Sequence, residues 1–255
     1  MRDPYLFEDV DVIKNKLGIK DNDKLEAAES DIVPIKLMSV DKFIEGEFRL
    51  EKLKLIHKYI FGDLYEWAGE TRKMDIEKSE AVLSGLSVQY CNYKYIEREV
   101  KNIINKMNKV DWKDLDIDRK AEEISKLTAE LWQIHSFREG NTRTTITFME
   151  LFAASKGINI DRELLKYNSG YVRNSLVLAS IGEYSEHSHL IRIIKDSIKE
   201  NFPAKENRKK LSETINKAYK KTENRNEEAF KNKNNIERWY YKDLKRLKLV
   251  IKGEL

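Results

Sequence analysis

With one cysteine in 255 residues, the chain has no partner for an intramolecular disulfide, and its fold has to rest on packing. That residue, Cys91, has nothing beside it in sequence that clearly lowers a thiol pKa, so it reads as a structural thiol. Proline and glycine are scarce too, at three and ten residues. With 36% charged residues and long helical patterns, this argues for a mostly α protein. Long apolar runs are missing: no stretch approaches the roughly 20 apolar residues that span a bilayer. The first residues are charged almost at once and lack the apolar core of a secretion signal. The expectation is a soluble, cytoplasmic protein with no membrane partner, a secreted effector being the alternative. No zinc pattern, GxxxxGK(S/T) phosphate loop or HExxH motif occurs.

Charge is abundant but unevenly spread. Residues 201–255 carry 16 Lys and Arg against 8 Asp and Glu, leaving the first 200 residues net acidic in a chain of net charge +4. A boundary near Asn201-Phe202-Pro203 follows, with helix-compatible stretches at 205–221 and 227–250 beyond it. Amphipathic spacing of Leu211, Ile215, Tyr219 and of Ile236, Trp239, Tyr240, Leu244, Leu247 favours a solvated helical hairpin. Docking of a target or of nucleic acid through Trp239, Tyr240 and Tyr241 is the less favoured alternative, because net charge alone names no partner.

The densest chemistry lies in residues 135–143, His-Ser-Phe-Arg-Glu-Gly-Asn-Thr-Arg. Before it, Ile124, Leu127, Leu131 and Ile134 repeat at helical spacing, and after it Ile146, Met149 and Phe152 restart the pattern. The stretch is thus a connection that opens a helix, where free backbone N–H groups behind a glycine form a nest for phosphate oxygens. His135, with an ordinary pKa near 6.5, is a candidate general base. Glu139 is a hard oxygen ligand suited to Mg²⁺, and Arg143 offers a planar fork of donors to phosphate. Together these parts point to phosphoryl or nucleotidyl transfer, where positioning and charge neutralisation do most of the work.

The stretch resembles the signature of Fic proteins, His-x-Phe-x-(Asp/Glu)-Gly-Asn-(Gly/Lys)-Arg-x-x-Arg, with His135, Phe137, Glu139, Gly140, Asn141 and Arg143 in register. Asp3-Pro4-Tyr5-Leu6 with Leu17-Gly18-Ile19, and the run from Ile56-His57 to Trp67-Ala68-Gly69-Glu70, are similar to further parts of that family. The resemblance implies a mostly α, Fic-type helical bundle over residues 1–200. The core motif spans 135–146, a small β-hairpin flap spans about 72–92, and a basic C-terminal helical extension covers 201–255. It implies Mg²⁺-dependent transfer of AMP from ATP to a Ser, Thr or Tyr hydroxyl of a target protein. His135 would be the base and Glu139 the metal ligand. Gly140, Asn141, Thr142 and Arg143 would bind phosphate, with Tyr171 and Asn174 beside the adenine.

Departures from the signature carry expectations of their own. Ser136 stands where proline is common, and Thr142 where glycine is usual, which adds a hydroxyl near the phosphates. Ile146 occupies the position of the second arginine, leaving open a different nucleotide such as UTP, a phosphocholine donor, or nucleotide binding without turnover. The family's inhibitory pattern, (Ser/Thr)-x-x-x-Glu-(Gly/Asn), has no intact copy. The positions four before Glu45, Glu139, Glu206 and Glu223 are Asp41, His135, Phe202 and Tyr219. An inhibitor acting in trans, or none, is therefore expected.

Between Gly69 and Asn92, Lys73–Ile76 and Leu86–Tyr90 alternate in character around Ser84-Gly85, which predicts the two arms of a hairpin. By the resemblance, the edge at Ile76, Glu77, Lys78 and Ser79 pairs with an extended target segment, a backbone-first mode of recognition. The alternative is a hairpin that only covers the core, its edge blunted by Lys78 and Glu80. The remaining histidines, His57, His187 and His189, read as helix or loop residues without a shared face.

Overall fold

In the computed structural model, residues 3–198 are described. The helices expected at 205–221 and 227–250 lie outside the described residues. The chain divides into two compact units. The first takes in residues up to Arg162 and resumes at Arg173, while the second, among the described residues, is Glu163–Val172.

The architecture is mostly helical, as the composition implies. Helix α1 (Asn22–Leu37) is started by Asp21, whose side chain accepts from the Lys24 N–H at 3.0 Å. After the single turn α2 (Val40–Phe43), α3 (Leu50–Phe61) buries Leu50, Leu53, Ile56, Ile60 and Phe61. In α4 (Ile96–Lys109), Ile96, Val100, Ile103, Ile104 and Met107 form one apolar stripe. Asp116 caps α5 (Ile117–Ile134) by accepting from the Arg119 N–H at 2.8 Å. Next come α6 (Asn141–Ser155), the short α7 (Arg162–Tyr167), α8 (Ser169–Leu178) and α9 (Ser188–Ser197). Helix α5 is the hub of the first unit, packing on α4, α6 and α9, while α3 packs on α1, α4 and α6. Trp132, Phe137, Phe148 and Phe152 are fully buried among these helices, each contributing about 1.5–3 kcal/mol through lost apolar surface.

The segment between α3 and α4 corrects one detail of the sequence reading. It is extended, and its inward positions alternate as a strand's do: Arg72 and Glu80 are buried, while Lys73, Asp75, Glu77 and Ser79 are exposed. It also reverses at Ser84-Gly85, with φ of 54° and 89°. Yet no β-ladder joins its two arms among the described residues, because side chains take the places of ladder partners. The Lys78 N–H donates to Ser87 Oγ at 3.0 Å, and the backbone bonds across the reversal converge on Glu80, whose N–H donates to Leu86 O and whose carbonyl accepts from the Gly85 N–H. The flap is a strapped loop with a 3₁₀ turn at Ala81–Leu83.

Arg72 supplies the strap. Its buried guanidinium donates to Met74 O at 2.6 Å and to Cys91 O, gathering both ends of the flap, and its Nε donates to His135 O at 2.8 Å. The Arg72 N–H adds a bond to Ser136 O at 2.9 Å. One side chain thus ties the flap to the carboxyl end of α5, satisfying carbonyls that a helix end leaves open. Replacing it by methionine strands several buried acceptors, and Arg72→Met is expected to lower stability by about 3 kcal/mol in urea denaturation.

Candidate active site

The connection that opens α6 begins with an unusual backbone. His135 ends α5 at φ 51°, a left-handed conformation that also directs the chain sharply away from the helix. Its ring Nδ1 lies 3.3 Å from Trp132 O. A carbonyl only accepts, so Nδ1 carries the proton and the lone pair stays on Nε2. Nε2 is buried and has no hydrogen-bond partner among the described residues. Tyr90 of the flap stacks on the ring with centroids 3.9 Å apart, and Trp132 meets it edge-on at 5.1 Å. Burial, followed by the charge of Lys78, holds the imidazole pKa well below its usual value, while Glu139 pulls it back. His135 is therefore a neutral acceptor at neutral pH.

Glu139 is the acid of the loop. Its Oε2 accepts from Lys78 Nζ at 2.7 Å and its Oε1 from the Gly140 N–H at 3.0 Å. Burial raises a carboxyl pKa, but Lys78, the Gly140 amide and Arg143 outweigh it and bring this one down to about 2. Gly140 then turns into α6 at φ 78°, where a Cβ would stand 2.4 Å from the Phe61 ring. Asn141 locks the turn: its Oδ1 accepts from the Phe137 N–H at 2.8 Å and its Nδ2 donates to Phe137 O at 2.7 Å. That side chain is committed to the loop, so only its backbone N–H remains for a phosphate. The N–H groups of Asn141, Thr142 and Arg143 have no acceptor among the described residues, the arrangement that makes a helix start an anion site.

Three cations surround this helix start, each held by a carboxylate. Lys78 sits on Glu139. Arg143 donates to Glu29 Oε2 at 2.7 Å and lies 4.7 Å over the Phe61 ring, and Arg173 grips both oxygens of buried Glu80 at 2.8 and 3.0 Å. Among the described residues no group of three or more His, Cys, Asp or Glu forms a metal cage. One ionised carboxylate facing open amides suits Mg²⁺, which is bound mainly by substrate phosphates and retained waters. Of the flap positions, Lys78 points into the site, Glu77 and Ser79 are exposed, and Ile76 is half-buried. Asn174 lies on α8 within the first unit and Tyr171 within the second. Ile146 is half-buried one turn along α6.

Two contributors were not legible in the motif. His57, read from sequence as an ordinary helix residue, is fully buried, with Nδ1 accepting from the Gly69 N–H at 2.9 Å. Nε2 must then carry the proton, which it donates to Glu139 O at 3.0 Å. The ring also stacks on Phe137, centroids 3.9 Å apart. Burial lowers its pKa to about 4, so it stays neutral. Glu29, on α1, holds Arg143 and also accepts from Tyr65 Oη. The one local hint for His57 was its place just before the Trp-Ala-Gly turn; nothing near Glu29 in sequence marks it.

Residues 47–153 match the Fic/DOC family. The chain is 34% identical over 191 residues to protein adenylyltransferase VbhT of Bartonella schoenbuchensis, a match covering 74% of this chain and 37% of that protein. It is 25% identical over 162 residues to the "Probable protein adenylyltransferase Fic" of Escherichia coli, covering 62% of this chain and 76% of that one. The crystal structure of the BepC effector of Bartonella tribocorum with bound AMPPNP superposes with a TM-score of 0.65 at 23% identity, over 79% of this chain and 97% of that one. No helix among the described residues is long and apolar enough to cross a membrane.

Gly140→Ala sets a methyl group against Phe61 in a left-handed backbone, and a loss of about 2–4 kcal/mol is expected in chemical denaturation. For His57, the folded pKa near 4 lies below the unfolded value of 6.5. Its contribution is then fully present above pH 6.5 and is lost as the pH falls through 4, up to about 3 kcal/mol. Urea midpoints of wild type and His57→Gln measured at pH 7 and 4.5 check this, the variant showing the smaller difference.

Proposed function

We propose that this chain, which belongs to the Fic/DOC family, is a protein adenylyltransferase that moves AMP from ATP to a hydroxyl side chain of a target protein. The observation that carries the reading is the buried, unused lone pair on His135 Nε2 beside an ionised Glu139 at an open helix start. The adenylyltransferase names borne by relatives that align over most of this chain support it. Because the chain spans 37% of the length of VbhT, the activity is inferred from the site and not carried over whole.

In this reading the target oxygen attacks the α-phosphorus of ATP, the bond to the β-phosphate oxygen breaks, and pyrophosphate leaves. The hydroxyl proton passes to His135 Nε2, whose tautomer is already set by Trp132 O. Negative charge arriving with the triphosphate raises the imidazole pKa from its depressed value and makes it a better base. The open amides of Asn141, Thr142 and Arg143 and the Arg143 guanidinium take phosphate oxygens, placing charge where it grows on the leaving group. Glu139 would hold Mg²⁺, which supplies charge neutralisation at the phosphates. A cation taken at Glu139 Oε2 would compete with the Lys78 ammonium that now holds that oxygen. Tyr90 covers the His135 ring, so an incoming hydroxyl must engage and shift the flap, whose exposed Glu77 and Ser79 offer an extended segment to a target. The absence of an intact inhibitory motif favours control in trans.

Incubating the protein with labelled ATP, Mg²⁺ and cell lysate tests the reading, with labelled UTP and a phosphocholine donor in parallel because of Ile146. Label from ATP on protein is expected; label only from another donor, or none, overturns it. His135→Ala should cut transfer by about 10²- to 10⁴-fold and leave nucleotide affinity nearly unchanged, since a base acts in the transition state. Glu139→Ala should in addition weaken Mg²⁺-dependent nucleotide binding in calorimetry.

A further inference from the structure

Thr142 lies in the first turn of α6, where its Oγ1 accepts from Trp132 Nε1–H at 2.9 Å and from an Arg173 Nη1–H at 3.4 Å. An indole N–H and a guanidinium can only donate, whereas a hydroxyl has two lone pairs and one hydrogen. Both neighbours approach through lone pairs, so the hydrogen is turned away from them. No acceptor receives it among the described residues. It belongs to the same helix start whose backbone amides are also without acceptors.

Neither donor is free to rotate off. Trp132 is fully buried, with its indole edge-on to His135. Arg173 is fixed by both oxygens of Glu80, which is 4% exposed and also accepts from Tyr90 Oη at 3.2 Å. Tyr90 in turn stacks on His135. The contacts close a ring, from His135 through Tyr90, Glu80, Arg173 and Thr142 to Trp132 and back. On the helix side the Thr142 hydrogen is left without an acceptor among the described residues, and on the histidine side Nε2 is left without a donor.

We infer that the Thr142 hydroxyl is a fixed hydrogen-bond donor to an ionised phosphate oxygen of the nucleotide, and that Trp132 and Arg173 are the positioning residues that orient its proton. This rests on the nucleotidyl-transfer reading and deepens it. A hydroxyl free to rotate serves donors and acceptors alike, but one with both lone pairs occupied recognises acceptors only, and ionised phosphate oxygens are of that kind. The ring also makes this donor depend on the flap, because Glu80 and Tyr90 are flap residues.

The test is calorimetric binding of two probes to the full chain: the Mg²⁺ complex of α,β-methylene ATP, which cannot transfer AMP, and adenosine, which has no phosphate. Thr142→Val keeps the shape and removes the hydroxyl. It is expected to weaken the triphosphate analogue about tenfold and leave adenosine unchanged, while Thr142→Ser restores binding to within about twofold of wild type. Trp132→Phe, which frees one lone pair, should weaken the analogue by about threefold with adenosine again unchanged. Unaltered analogue binding in Thr142→Val overturns the inference and leaves the transferase reading standing. Equal weakening of both probes in Thr142→Val, without rescue by serine, overturns it in favour of a packing role. Failure of the wild type to bind either probe overturns both readings.

Discussion

Two left-handed residues, His135 and Gly140, bracket the connection between α5 and α6, and the site exists only while that turn is held shut. Left-handed backbone costs a non-glycine residue about 1–2 kcal/mol, so His135 persists there because its surroundings over-determine it. Asn141 bonds Phe137 in both directions, His57 reaches the Glu139 carbonyl, and Arg72 takes the His135 carbonyl. Each of these engages the loop's backbone, so its shape is fixed independently of the His135 ring and the Glu139 carboxylate. In the proposed reaction an imidazole and a carboxylate held on such a turn would be placed in advance of substrate, which is where most of the entropy of a positioned reaction is saved.

The charges of the site have a related logic. Lys78 with Glu139, Arg143 with Glu29 and Arg173 with Glu80 are ion pairs gathered around one helix start. In the free protein they cancel, so the region carries little net charge despite its density of ionised groups. The Glu80 carboxylate is 5% exposed and fixes Arg173, whereas the side chains of Lys78–Glu139 and Arg143–Glu29 are 14% to 34% exposed, and such partly exposed pairs are worth little and are readily traded. In the proposed reaction a nucleoside triphosphate would offer Lys78 and Arg143 new partners, and a divalent cation would offer one to Glu139. The two histidines complement this by staying neutral: burial depresses both, one as scaffold and one as acceptor. A charged His57 would repel Arg143, and a charged His135 has no lone pair to accept a proton.

How much of this was legible in the sequence depends on how local each feature is. The apolar spacing on either side of residues 135–143 predicted α5 and α6, and the Gly-Asn pair predicted the turn between them; all of these are set within a few residues. The flap shows where periodicity misleads. Its alternation is real, with Arg72, Lys78 and Glu80 facing inward, but a period of two reports only an extended chain, while a ladder needs backbone partners on both arms. Here Arg72 and Ser87 have taken those partners. The resemblance places Asn141 among the phosphate-binding positions, and only geometry shows that its side chain is turned back to Phe137 while its backbone N–H stays open at the helix start.

The contributors that the sequence hid are also the most distant. His57 reaches Glu139 across 82 residues and Glu29 reaches Arg143 across 114. No periodicity links such positions, because their pairing is a property of how α1 and α3 pack on α6. The motif therefore states the chemistry, while the amino-terminal part of the chain sets the geometry. This division explains why Gly140 must be glycine even though its role faces the protein: the space that a side chain there would fill is taken by Phe61, the same ring that supports Arg143. Close approach of α3 to the turn thus fixes the loop from below and the Arg143 guanidinium from the side in a single packing event. A substitution that loosens α3 is then transmitted to His135, Glu139 and Arg143 without touching the motif at all.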